Sequence, residues 1–178
     1  MSILPKAYAW LAKEPGPRML LEALSLYGIT EKAGAADNPT ILDWAKECGI
    51  KGYAHDSIAW CGLTMAVCAK RAGWDYAPGG NAHWALNWAK WGDPSPNPMI
   101  GDILTFKREG GGHVALYVGE DSTAYHVLGG NQGDAVSIVR ILKTRMYAAR
   151  RAHWKVAQPD NVRVVKLAMT GDISTNEA

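Results

Sequence analysis

Residues 93–120 read DPSPNPMIGDILTFKREGGGHVALYVGE, and within them the chain changes character. The prolines of DPSPNP stop the helical spacing that precedes them, because a proline ring removes a donor and clashes with the preceding turn. Beyond them DILTF, HVALYVGE, AYHVLGG and AVSIVRI are short runs rich in β-branched and aromatic residues, separated by Gly, Asp and Asn. That pattern predicts an antiparallel meander.

Upstream the spacing is helical. Residues 6–14 and 17–27 carry apolar positions at helical intervals around EPGP, where Pro15 and Pro17 break the run. A helix is expected over residues 39–48, capped by Asp37 or Asn38, with Pro39 at its first position. Another is expected over residues 58–72, ending at Gly73, with Asp56 and Ser57 as its caps. NAHWALNWAKWG reads as a further short helix, with Trp84, Trp88 and Trp91 on one face. Helices followed by strands define an α+β fold in which N-terminal helices pack on an antiparallel sheet.

A chain of 178 residues is long enough to bury one core, so a single domain is expected over residues 1–156. Residues 157–178 are a polar, partly flexible extension ending in GDISTNEA. A net charge of +2 with 20% charged residues is too small to suggest a polyanion-binding surface, which excludes nucleic acid as an expected partner. The segment MSILPKAYAWLAKEPGPRML lacks a useful apolar run and carries three prolines, so it predicts neither a signal peptide nor a membrane anchor. Stable membrane insertion is not expected. Three cysteines without C-x-x-C or H-E-x-x-H spacing point to no disulfide framework and no metal, and no cofactor is implied.

Chemistry enters with DSIAWCGLTMAVCAKRAGW, residues 56–74. Cys61 falls in the first turn of its helix, where unpaired N–H groups and the helix dipole favour a thiolate. Cys68, nearly two turns on, has neither advantage and reads as a buried apolar neighbour. A thiol nucleophile needs a base, and the base needs an orienting partner. His113 opens a strand after three glycines, at the sheet end facing the helix start, and the glycines leave room for substrate. Asn131 or Gln132, just past the next strand, is brought back towards His113 by an antiparallel return. Of the two, Asn131 is the expected orienter, because an amide oxygen fixes the imidazole tautomer without adding charge. His126, inside an alternating strand, ranks behind it.

The order Cys61, His113, Asn131 on helix, strand and strand resembles the NlpC/P60 and CHAP superfamily of papain-like cysteine peptidases and amidases. More narrowly, GAADNPTILDWAKECG, AWCG, WALNWAKWG, GDILTF, GGHVALYVG and VLGGNQGDAV resemble, in the same order over residues 28–152, a set of small phage-associated proteins. The helix after the nucleophile, GLTMAVCAKRAGW, lacks the aromatic residues often found there in the family, and EPGPRML differs from its usual Glu-x-Gly region.

The resemblance implies a papain-like fold, with Cys61 as nucleophile, His113 as general base and Asn131 as the third polar residue. It implies a peptidoglycan hydrolase that cuts an amide bond in the stem peptide or at the sugar–peptide junction, in the manner of a phage endolysin. Trp60, Trp84, Trp88, Gly112 and Gln132 are the residues expected along the substrate groove. Bacterial peptidoglycan is then the partner, the protein is a monomer, and it is made in the host cytoplasm but acts at the wall. A non-catalytic wall-binding or virion module with the same fold is the alternative.

Overall fold

A computed structural model describes residues 3–34, 36–169 and 171–177; Met1, Ser2, Ala35, Thr170 and Ala178 lie outside them. The molecule is α+β, with helices α1 (Arg18–Ser25), α2 (Pro39–Glu47) and α3 (Cys61–Ala72) preceding a six-stranded antiparallel sheet. Its strands are β1 (Asp93–Pro94), β2 (Ile103–Arg108), β3 (Gly111–Glu120), β4 (Ala124–Gly129), β5 (Ser137–Leu142) and β6 (Met146–Arg151). They lie in the order β1-β6-β2-β3-β4-β5, so the expected meander β2 to β5 is present and β6 crosses back to pair with β2. No helix among the described residues is long and apolar enough to cross a membrane.

Local chemistry sets several boundaries. Asn38 caps α2, its side chain accepting from the Thr40 N–H at 2.9 Å, with Pro39 at the first helical position. Gly73 ends α3 in the left-handed conformation (φ 80°) that a glycine adopts without steric cost. Asp56 does not cap α3. Its buried carboxylate instead accepts from the Lys32 and Asn38 N–H groups at 2.9 and 2.7 Å, tying the loop before α2 to the approach to α3. The N-cap position of α3 is Trp60, which makes no side-chain capping bond, so the first turn keeps its amides open. Residues 6–13 and 85–90 form 3-10 turns rather than α-helices.

The sheet separates two apolar layers. On one face Val114, Leu116, Val118 and Leu128 pack with α1, α2, α3, Trp60 and Trp88. On the other Leu104, Phe106, Ala115, Tyr117, Tyr125 and Val127 form a second cluster. Successive side chains of β3 alternate between them, as a pleated strand requires. Helix α3 meets the sheet closely at Gly130, where a Cβ would fall 1.9 Å from Thr64 Oγ1 and 2.7 Å from the Trp60 ring. Only a residue without a side chain lets the chain leaving β4 pass there.

Residues 157–169 and 171–177 lie back along the domain. Glu120 pairs with Lys166 and Arg140 with Ile173 in isolated parallel bridges, and Glu14 binds Arg163 and Asn161.

Candidate active site

Cys61 is the first residue of α3, and its side chain is 2% exposed. Burial pushes its thiol above the ordinary value, although the N–H groups of Val114, Gly62 and Cys61 itself face the sulfur and pull the other way, aided by the positive charge of Arg108. The expected thiolate is therefore not the resting species; desolvation outweighs the helix start. Cys68 is buried two turns below, with its thiol pushed up by burial. Cys48, Cys61 and Cys68 are all free thiols.

The amide that faces the sulfur belongs to the residue after His113, and strand geometry explains why it is accessible. Pairing of β3 with β4 runs only from Leu116↔Leu128 to Glu120↔Tyr125. Beyond it Gly129 still lies against Ala115 of β3, and at Gly130 the chain passes Thr64 and Trp60. Cys61 meets the Val114 amide from the helix layer. The His113 ring lies on the opposite face, stacked on Phe106 with centroids 6.4 Å apart. It does not face the helix start as the sequence led one to expect. The sulfur and the ring flank the same stretch of β3 without a hydrogen bond joining them, and His113 Nδ1 is a fully buried nitrogen with no partner.

The other nitrogen is engaged. His113 Nε2 lies 3.0 Å from Gln132 Oε1. Gln132 Nε2 donates to the carbonyls of Ser137 (2.6 Å) and Val127 (3.4 Å), which makes Oε1 the accepting end of the amide. Nε2 of the imidazole is then the N–H donor and Nδ1 carries the free lone pair. Burial lowers the His113 pKa to about 4, partly opposed by the Gln132 hydrogen bond and by the Glu177 carboxylate. At neutral pH the site holds a neutral thiol and, on the other face of β3, a neutral imidazole of defined tautomer.

The amide that meets the ring is thus that of Gln132, one residue beyond the expected Asn131. Asn131 itself has φ 57°, in the left-handed region that Asn tolerates better than most residues, and it turns the chain so that Gln132 points back at β3. His126 is occupied elsewhere: Nε2 donates to Asp121 Oδ2 at 2.9 Å and Nδ1 accepts the Tyr8 hydroxyl at 2.7 Å.

The remaining groove residues divide by exposure. Trp60 and Trp88 are wholly enclosed in the core and have no face to offer a ligand, their indole N–H groups donating to Glu31 and to the Ala82 carbonyl. Trp84 is 59% exposed. Gly112 packs against Leu86, whose Cδ2 lies 2.5 Å from where a Cβ would sit, so it makes room for a side chain of this protein. No cluster of three or more His, Cys, Asp or Glu among the described residues could hold a metal ion.

Three groups near the pair escaped the sequence reading. Tyr53, whose hydroxyl donates to the Ile58 carbonyl, stands within electrostatic reach of Cys61, and the charge of Arg108 acts on both Cys61 and His113. Glu177 reaches the same place from the far end of the chain. Tyr53 and Arg108 carried no motif, and Glu177 lay in a segment whose composition suggested only a polar tail. No protein-family model and no curated protein matches the chain, so the reading of this site rests on the chemistry of Cys61, His113 and Gln132 themselves.

Proposed function

We propose that this protein is a thiol-dependent amide hydrolase of papain-like NlpC/P60 type acting on bacterial peptidoglycan, with Cys61 as nucleophile, His113 as general base and Gln132 in the third polar position. One observation carries the reading: a buried imidazole nitrogen with a free lone pair and a fixed tautomer, on the residue whose following amide faces a thiol at an uncapped helix start. A buried polar atom left unpaired costs about 1–3 kcal/mol, and such atoms cluster where function needs them.

In the reaction, Nδ1 takes the Cys61 proton as the sulfur attacks the amide carbonyl. The open amides of the first turn of α3 stabilise the oxyanion. The imidazolium returns its proton to the leaving amine, which departs as the thioester forms. Water, deprotonated by the same nitrogen, then releases the acid and regenerates the thiol. Gln132 accepts from Nε2–H throughout and holds the ring in its productive tautomer. Because the ring stands on the far face of β3, the first step requires residues 112–114 to rearrange with substrate bound so that Nδ1 reaches the sulfur.

The substrate follows from the resemblance of AWCG, GGHVALYVG and VLGGNQGDAV to phage-associated wall hydrolases: an amide of the stem peptide or of the sugar–peptide junction. The protein acts at the wall, as a monomer. Clearing of purified peptidoglycan by the parent, and its loss in Cys61→Ala, tests the proposal; clearing that survives C61A removes Cys61 from the mechanism. The sealing of Cys61 favours one second reading, a non-catalytic wall-binding module. That reading expects retention on sedimented wall material without release of soluble muropeptides, by the parent and C61A alike.

A further inference from the structure

The segment Ile173–Glu177 lies along the edge of the sheet like a bound peptide. Strand β5 is the outermost strand on its side, and Arg140 on it pairs with Ile173 while its carbonyl accepts the Ser174 N–H at 2.8 Å. Two residues on, the Asn176 carbonyl accepts the Gly133 N–H at 3.0 Å, next to Gln132. Main-chain bonds to a sheet edge and one deeply held side chain form the usual mode by which a fold captures an extended peptide.

The held side chain is Glu177. Although it carries an acid, the residue is only 2% exposed, and both its oxygens are bound by Arg145, with distances of 3.1 Å from Nη1 and 2.7 Å from Nη2. Arg145 Nη1 also donates to the Ser174 carbonyl at 3.3 Å. A paired guanidinium fork is the geometry suited to a carboxylate. Burial raises the acid, but Arg145, Ser174 and His113 outweigh it and keep Glu177 below the ordinary carboxylate range. Beside it a cavity of about 410 Å³ remains, lined by Arg108, Glu109, Arg145, Thr175, Asn176 and Glu177.

We propose that Arg145, at the end of the β5 edge and next to His113, is a binding site for an acidic peptide, that a carboxylate of the substrate is its ligand, and that the chain's own Glu177 fills it here. The inference builds on the reading of Cys61 and His113 as the reactive pair and adds a substrate requirement: an extended peptide bearing a free carboxylate, lying along β5. While Glu177 occupies the site, Arg145 is taken up beside His113. Substrate and tail compete for one guanidinium.

Fluorescence anisotropy of the labelled synthetic peptide GDISTNEA titrated with the full-length chain reads the site independently of hydrolysis. Removing the charge with Glu177→Gln is expected to tighten peptide binding about tenfold by freeing Arg145. Glu14→Gln, which breaks the similar Arg163 pair elsewhere, is expected to leave the affinity at that of the parent. The same peptide with Gln in place of Glu should not bind E177Q, nor should GDISTNEA bind the E177Q/R145Q double variant, whose folding is checked by thermal denaturation with Arg145→Lys as the charge-keeping alternative. Binding to E177Q no tighter than to the parent, or equal binding of both peptides, would overturn the proposal. Tighter binding by E177Q without clearing of peptidoglycan by any variant would leave the site standing and sink the hydrolase reading instead.

Discussion

Two histidines sit on neighbouring strands of one sheet, both fully buried, and differ in how their ring nitrogens are satisfied. His126 on β4 has both ring nitrogens satisfied, one by Asp121 and one by Tyr8, and Asp121 is further held by Arg140 Nε at 2.8 Å and by the N–H groups of Thr123 and Ala124. His113 on β3 has one nitrogen held by Gln132 and the other left open. The first ring is tied into a closed network that fixes β4 to the 3-10 turn at residues 6–13. The second is oriented from behind and left able to take a proton. Burial alone does not distinguish these two rings; the open nitrogen of His113 does.

Substituting each ring in turn breaks the comparison most directly. His113→Ala is expected to lower peptidoglycan hydrolysis by at least about 10²-fold, the span usual for a lost general base, with a small change in melting temperature. His126→Ala is expected to do the reverse, costing about 3 kcal/mol in thermal or denaturant unfolding by orphaning Asp121 and Tyr8, while the folded fraction keeps its activity. Equal losses of activity in the two variants would erase the distinction.

Acid sharpens it. His113 has a folded pKa of about 4 against an ordinary 6.5, so the unfolded chain binds the extra proton between those values. Stability therefore falls as pH drops from about 6.5 to 4, by an amount on the order of 3 kcal/mol for this ring. His113→Gln should flatten that part of a stability–pH curve. His126 is also lowered, by burial, but the Asp121 carboxylate opposes the shift, so H126Q should flatten the curve less.

Smaller effects are expected around the loop that orients the ring. Gly130→Ala pushes a methyl into Thr64 and Trp60, an overpacking worth about 1–3 kcal/mol in unfolding experiments. Gln132→Ala strips the His113 Nε2–H of its acceptor and should lower kcat about tenfold with little change in KM. Asn131→Gly keeps the left-handed backbone and is expected to hold activity within about twofold of the parent. Should N131G lose more than Q132A, the third polar position returns to Asn131.

The helix–strand division was legible in the sequence because the proline cluster at residues 94–98 separates two periodicities. The pairing of β2 through β5 followed from turn residues between β-rich runs. MYAARR, which forms β6, was not legible: Ala and Arg give no alternation, and its strand character comes from pairing with β2, where Thr105 Oγ1 reaches the Ala148 carbonyl at 3.2 Å. The stripe of Trp84, Trp88 and Trp91 suggested an α-helix, yet the core accepts Trp88 and Trp91 from a 3-10 turn and leaves Trp84 outside. At the site, residue types were readable and register was not. Asn131 and Gln132 are both buried amides past the same strand, and the left-handed backbone at the first decides that it is the second that meets the His113 ring. Arg145 and Glu177 meet across 32 residues of chain, a contact that no local pattern announces.

The tail has one further consequence, concerning neighbours rather than chemistry. A border strand with bare N–H and C=O groups invites self-association, and folds usually shield such borders. Here the shield over β5 is the same short run of residues that lies by Arg145. Dislodging it would leave a sticky rim on the molecule, so solutions of the displaced form should scatter light at concentrations where the parent stays clear.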